Sequence, residues 1–548
     1  MGRPERLIAT AATVVAAGLL AAGCHAADKA FCSSAGCAWT DLDWARVQSL
    51  SRLPAPPPDT SNNYYSVAEA AKLGEAFYFD TKFSGASTLL DSIGRPVASA
   101  REPSGTQVNI SCASCHDPSW AGTDDTSVPN TVSIGAGIYD VNAQQTLVAA
   151  FFPLLYWNGR SDSLWAQALA VNESNFSMNG TRLKTFWRIV SNYADRYNRV
   201  FADYPLPASV DANEFPPQGK PGAMEGCQAG LATEPFGDAF DCLSGPDQIT
   251  VNRVFVNFGK AIAAYEYTLA TEYALASRDA PFDRFVRDGP GSGWISPQAE
   301  NGARLFVSKA SCIDCHNTPL LSDGRFHNIG VPQAGDHVPT VEDCAATPST
   351  CNCAPGTEKE MGTCFPSGAW GGAGKLAVNK FRRDNIGSAN NEPWSDAPDG
   401  GAEPCPTTQI AVAPNCATED PTLEGAWRTP SLRDVSLTAP YMHDGYYQTL
   451  TEVVQHYNMG GVAGAADVFQ LPLCETGDAG PSPCMDAGAP APHLAIQIKP
   501  LDLTDEEVTD LVAFLGTLSA PALPPPDAGL PPPRSDDGGA ARDAGPSQ

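Results

Sequence analysis

Apolar residues recur at helical spacing in three separate segments of the chain. AEAAKLGEAFYFD, starting at Ala68, predicts one amphipathic helix. VNRVFVNFGKAIAAYEYTLATEY, starting at Val251, places Val254, Phe258, Ile262, Tyr265 and Leu269 on one face and predicts a long helix between two halves of the chain. In LTDEEVTDLVAFLGTL, Thr504 is a candidate N-cap and Glu507 completes a capping box, followed by Val508, Leu511, Val512, Leu515 and Leu518 on one face. The pattern predicts a mainly α fold. Its breaks suggest the organisation: a proline-rich stretch at Pro54 to Asp59, a boundary near residue 246, and a segment at 335–425 rich in Gly, Pro, Asn and Cys without a period. From 521 to 548 the chain is too poor in apolar residues to fold and is expected to be a disordered tail.

The start reads differently. Arg3 and Arg6 precede an apolar, alanine-rich run from Leu7 to Gly23, the pattern of an export signal, and LAAGC puts Cys24 where a lipoprotein is cleaved and lipidated, with Ala21 in the usual leucine position. The expectation is a lipoprotein-type signal at 1–24, an extension at 25–60, and an exported protein that is periplasmic or outer-membrane-associated, held by a lipid anchor. No later run approaches the roughly twenty apolar residues of a membrane helix. With 548 residues, 43% of them hydrophobic, the chain can bury a large core. Its 62 acidic against 34 basic side chains, a formal charge of −28, argue against nucleic acid and suit a basic partner.

Two motifs carry chemistry. SCASCH ends at His116 and ASCIDCH at His316, so Cys112, Cys115, Cys312 and Cys315 form two CxxCH signatures 200 residues apart. CxxCH is a c-type haem attachment pattern: about one helical turn separates the thiols, so both can bond the porphyrin, and the adjacent histidine turns its imidazole to the iron. His116 and His316 are the expected proximal iron ligands of two covalently bound haem c groups. Redox thiols or zinc sites are the blander readings of CxxC. Of 17 cysteines, Cys24 and these four leave twelve, an even number that fits disulfides in an exported chain, some of them tying the 335–425 insertion.

From about Ala68 to Leu518 the chain resembles the bacterial di-haem cytochrome c peroxidases and their MauG-like relatives. The resemblance rests on LGEAFYFDTKFSG, SCASCHDP, YWNGR, APFDRFVR, CIDCHNTPLLSDGRFHNIGVP, TPSLRDVSLTAPYMHDGYYQTL and LTDEEVTDLVAFL, in that order. It implies two cytochrome c-like haem domains, a peroxidatic one at 61–245 and an electron-transferring one at 246–520 carrying the insertion. It further implies hydrogen peroxide as oxidant, a small electron-donor protein or oxidisable partner protein, and a calcium ion between the domains.

The same resemblance assigns residues. Trp157 matches the tryptophan between the haems. Asn142, Thr438 and Pro440 match a calcium site of one amide oxygen and two main-chain carbonyls, donors that suit a hard cation. Tyr457 falls where classical members carry the second haem's distal methionine and is the MauG-like choice; Met459 and His456 lie within two residues as alternatives. Ala136 stands where resting peroxidases place a blocking histidine, which implies an open first haem. Gln167 matches a distal glutamine, whereas Ser177 occupies the position of the distal glutamate and lacks a carboxylate's proton-transfer capacity. Glu173, four residues before it, is a candidate substitute if the segment is helical. His327 and His443 are expected to support the second haem, Arg433 to pair with a propionate or in a surface ion pair, and Ala310 replaces the surface tryptophan of MauG-type enzymes. The competing readings are a non-enzymatic di-haem electron carrier, a MauG-like oxidase of a protein side chain, and a sensor.

Overall fold

The computed structural model describes residues 39–89, 105–124, 133–138, 141–221, 237–331, 351–353, 364–366, 394–397, 426–461, 473–474, 482–483, 495 and 497–523. The signal and lipidation site, most of the insertion, and the tail from 524 lie outside them, as do all but one of the side chains expected to form disulfides. That one, Cys242, is disulfide-bonded.

The described chain is mainly helical: α1 (Asp41–Ser49), α2 (Ala68–Tyr78), α3 (Leu164–Glu173), α4 (Arg182–Asn192), α5 (Ala194–Val200), α6 (Gly237–Asp241), α7 (Gly245–Ala276), α8 (Pro281–Asp288), α9 (Pro297–Val307), α10 (Leu450–Met459) and α11 (Asp505–Leu515). Strands are short and antiparallel: β1 (Phe326–His327) pairs with β4 (Trp427–Arg428), β2 (Cys351–Cys353) with β3 (Cys364–Pro366), and β5 (Leu473–Cys474) with β6 (Ser482–Pro483). Several helices start on polar caps. Thr504 and Glu507 form the expected reciprocal box on α11, and Thr449 with Glu452 does the same for α10.

Two apolar clusters organise these elements. In the first, α2, α3 and α4 pack on α7, burying Phe77, Trp165, Phe186, Phe255 and Phe258. The helix that begins at Gly245, at the boundary near 246, thus gives its buried side chains to the first cluster. In the second, α9 packs on α11, and Phe514 meets Phe282 at 5.4 Å and Phe306 at 5.2 Å between ring centroids. Each such ring contributes on the order of 1.5–3 kcal/mol by leaving water. Both main crossings depend on a glycine. A Cβ on Gly74 of α2 would lie 1.8 Å from the Ala261 carbonyl oxygen of α7, and one on Gly302 of α9 would lie 2.0 Å from that of Asp510 in α11.

Part of the expected insertion joins the first cluster. Trp394 is fully buried beneath the Arg253 guanidinium, and Asp396 pairs with Lys260 of α7 at 2.8 Å.

Candidate active site

Each CxxCH segment forms one 3₁₀ turn, Cys112–Ser114 and Cys312–Asp314, and none of the four motif cysteines is engaged in a disulfide. Each turn presents its thiols and histidine to a large cavity. The first spans about 1190 Å³ of empty space, including space open to solvent, and is lined by Cys112, Cys115, His116, Trp157, Gln167 and Ser177 among others. The second spans about 1390 Å³ on the same measure, with Cys312, Cys315, His316, His327, His443 and Tyr457 in its wall.

The histidines are set by the loops that follow them. His116 donates from Nδ1 to the Gly122 carbonyl at 3.2 Å, and His316 to that of Leu321 at 2.9 Å. With Nδ1 protonated and held, the Nε2 lone pair is left for a metal, and burial lowers both imidazole pKa values, favouring that neutral form. Thiols in pairs, oriented imidazoles and mostly apolar walls fit two haem c groups.

At the first cavity, Gln167 projects from α3, while Ser177 sits beside the loop of Ala136, whose N–H donates to the Ser177 carbonyl at 2.6 Å. Ala136 is itself fully buried. Met178 also lines this cavity and is 4% exposed. The suggested substitute carboxylate, Glu173, is elsewhere: both of its oxygens are taken by Arg182, at 2.8 and 2.6 Å, and it does not line the cavity. Helix α3 ends at Glu173 itself, so the helical geometry that would bring it level with Ser177 is missing.

The carboxyl that does line the first cavity is Glu266, one α-helical turn after Ile262 on α7. It is 5% exposed, its Oε2 has no hydrogen-bond partner, and burial pushes its pKa up to about 8, so it is largely protonated at neutral pH. A carboxyl beside Ile262 and Tyr265 of the inward face of α7 was the available signal.

At the second cavity, Tyr457 of α10 lines the wall, and burial, reinforced by the Cys315 and Cys312 thiols, pushes its phenol well above the usual value. The two alternatives are placed differently. Met459 is 58% exposed. His456 uses both nitrogens, accepting from Tyr447 Oη at 3.0 Å and donating to the Ile329 carbonyl at 2.8 Å. His327 pairs with Asp323 at 2.8 Å.

Trp157 lines both cavities. Its Nε1 donates to the Asn142 carbonyl at 2.9 Å, and its ring lies 6.4 Å from that of His443. His443 stacks in turn on Trp427 at 4.1 Å and 18°. Burial lowers the His443 pKa to about 3, so it is neutral. Asn142 and Pro440, 298 residues apart, meet directly: the Asn142 side-chain amide donates to the Pro440 carbonyl, and the Asn142 backbone N–H donates to the His443 carbonyl at 2.7 Å. Thr438 stands two residues before Pro440.

Arg433 is neither at a cavity nor on the surface. It is fully buried and donates to Asp283 at 2.6 and 3.3 Å, to Pro319 O at 2.8 Å and to Leu50 O at 3.3 Å. It ties the loop after the second motif to α8, and its charge is already matched.

Comparison with known proteins finds similar sequences among haem peroxidases. The family model of the di-haem cytochrome c peroxidases matches residues 68–215. The cytochrome-c peroxidase IdrP1 of Denitromonas iodatirespirans is 26% identical over 89% of this chain and 90% of its own. The methylamine utilization protein MauG of Methylorubrum extorquens is 25% identical over 89% and 90%. The solved structure of the diheme peroxidase BthA from Burkholderia thailandensis covers 86% of this chain and 94% of its own, at 19% identity and a TM-score of 0.48. By its sequence the chain is similar to the di-haem cytochrome c peroxidases and MauG proteins, oxidoreductases built around two haem c groups, over about nine tenths of its length, and its residues 68–215 match that family's model.

Proposed function

We propose that this protein reduces hydrogen peroxide at the first cavity and draws the electrons, through the second, from a small electron-donor protein or an oxidisable partner protein. One observation carries the reading: besides the fixed His116, the first cavity's wall offers Gln167, Ser177 and a protonated carboxyl, Glu266, and no second imidazole among the described residues that line it. When bound, the haem at His116 supplies the iron that takes up peroxide and electrons. The chain supplies the rest. Gln167 orients the oxidant by hydrogen bonding, and Glu266 Oε2 holds the proton that the departing oxygen needs, the function for which Ser177 is unsuited. Trp157 fills the wall between the cavities, where an aromatic ring shortens the electron path. Tyr457 is the proposed second-haem ligand, and Asn142, Thr438 and Pro440 the proposed calcium site. The latter calls for one calcium per purified chain by elemental analysis; none would remove it. The chain is proposed to work as an exported, lipid-anchored protein; no described helix is long and apolar enough to cross a membrane.

A second reading, an electron-transfer cytochrome without turnover, draws on Met178, whose buried side chain shares the first cavity. One experiment separates the two. One equivalent of peroxide is added to the diferric protein while its visible and near-infrared spectrum is followed. A rapid change reversed by added reductant supports the peroxidase; an unchanged spectrum, before and after half-reduction, leaves the carrier.

A further inference from the structure

The two cavities share two wall residues, Trp157 and Arg428. Trp157 is accounted for by its match to the family; Arg428 is not. It sits on β4, where pairing with β1 and the bond from its N–H to the Trp157 carbonyl at 2.8 Å fix its backbone in the partition between the cavities. The side chain is 4% exposed. Its guanidinium carbon lies 3.7 Å from the centroid of the Phe152 ring, and Nε reaches the Tyr156 carbonyl only at 3.4 Å. Nη1 has no hydrogen-bond partner, and no carboxylate pairs with the group among the described residues. Burial alone, with no neighbouring charge to oppose it, lowers its pKa to about 9.

A buried guanidinium without a counter-charge carries an uncompensated desolvation cost. The cation is therefore matched to an anion that the described residues do not provide. Each haem carries two propionates, and a planar guanidinium presents donors in a fork suited to carboxylates. We propose that Arg428 is a shared propionate anchor, which binds a propionate of the first haem on one side and one of the second haem on the other. It thereby sets the electrostatic potential of both irons together. This rests on the two-haem reading above. The contrast with Arg433 is direct: five residues further on, that arginine is already neutralised by Asp283, so of these two the charge available to the haems is the one at 428.

The test is a spectroelectrochemical titration of full-length holo-protein, after haem content has been counted by pyridine haemochrome assay. Wild-type protein without two haems per chain would overturn the two-haem reading itself, before Arg428 is tested. Loss of a buried cation beside an iron favours the ferric, more positive state. Arg428→Gln is therefore expected to lower both midpoint potentials by at least a tenfold change in the oxidised-to-reduced ratio, about 59 mV for a one-electron couple. Arg428→Lys, which keeps the charge but loses the fork, lowers both by less, and it is the variant read if the glutamine protein does not accumulate. Unchanged midpoints in the variant read overturn the assignment. Movement of one haem alone overturns the sharing.

Discussion

Replacing Glu266 by glutamine probes the buried carboxyl on which the proton chemistry rests. The native carboxyl titrates at about 8 against an ordinary value of 4.5, and burial is the cause. Between those values the folded protein holds one proton more than the unfolded chain. The sign follows: the stability associated with Glu266 is fully present below pH 4.5 and is lost as pH rises through about 8. At about 1.4 kcal/mol per pH unit, the loss across that window amounts to at most about 5 kcal/mol. Glutamine has nearly the same shape and no proton to lose. In urea denaturation of the holo-protein at pH 5, 7 and 9, Glu266→Gln is expected to match wild type within about 1 kcal/mol at pH 5 and to exceed it by several kcal/mol at pH 9. Peroxide consumption moves the other way. The wild-type rate falls as pH rises through about 8, and the variant is slower at neutral pH by on the order of a hundredfold or more. Parallel stability curves from pH 5 to 9 would refute the buried, protonated state; an undiminished rate would refute its use in turnover.

Other substitutions test the remaining placements. Tyr457→Met is expected to change the ferric spectrum of the second haem and to raise its midpoint by on the order of tenths of a volt, within the roughly 0.8 V that axial ligands span; an unaltered second haem would remove Tyr457 as ligand. Glu173→Gln, which loosens the pair with Arg182, is expected to lower stability by about 1–3 kcal/mol while leaving peroxide consumption within about twofold, and a hundredfold loss of rate would return Glu173 to the site. Arg433→Met leaves Asp283 buried with Ser51 and Arg52 as its remaining partners, so unfolding should become easier by about 3–5 kcal/mol; a change under 1 kcal/mol would show that the pair contributes little.

What the sequence makes legible is what depends on near neighbours. The thiols and histidine of CxxCH lie within one turn, and the capping box at Thr504 closes over three residues, so both can be read without a fold. The carbonyls of Gly122 and Leu321 that hold the two imidazoles follow within six residues, yet they depend on loop conformation, which residue types alone do not specify. Glu266 is harder still. Periodicity marks Ile262 and Tyr265 as an inward face, and a charge beside them reads as the edge of that face; only the approach of the Cys112 turn to α7 makes it a cavity residue.

Arg428 and Arg433 show most clearly where such reasoning ends. Both stand in the short stretch WRTPSLR, both are basic, and either is a plausible partner for an anion. The difference between them is set by Asp283, 150 residues from Arg433, and by a strand pairing that turns Arg428 into the wall beside Trp157. Once Asp283 has neutralised one guanidinium, desolvation makes the other the group that requires an anion. The identity of a cofactor-binding arginine is in this way decided by which of its neighbours the fold has already supplied with a counter-charge, and a motif that contains both cannot state it.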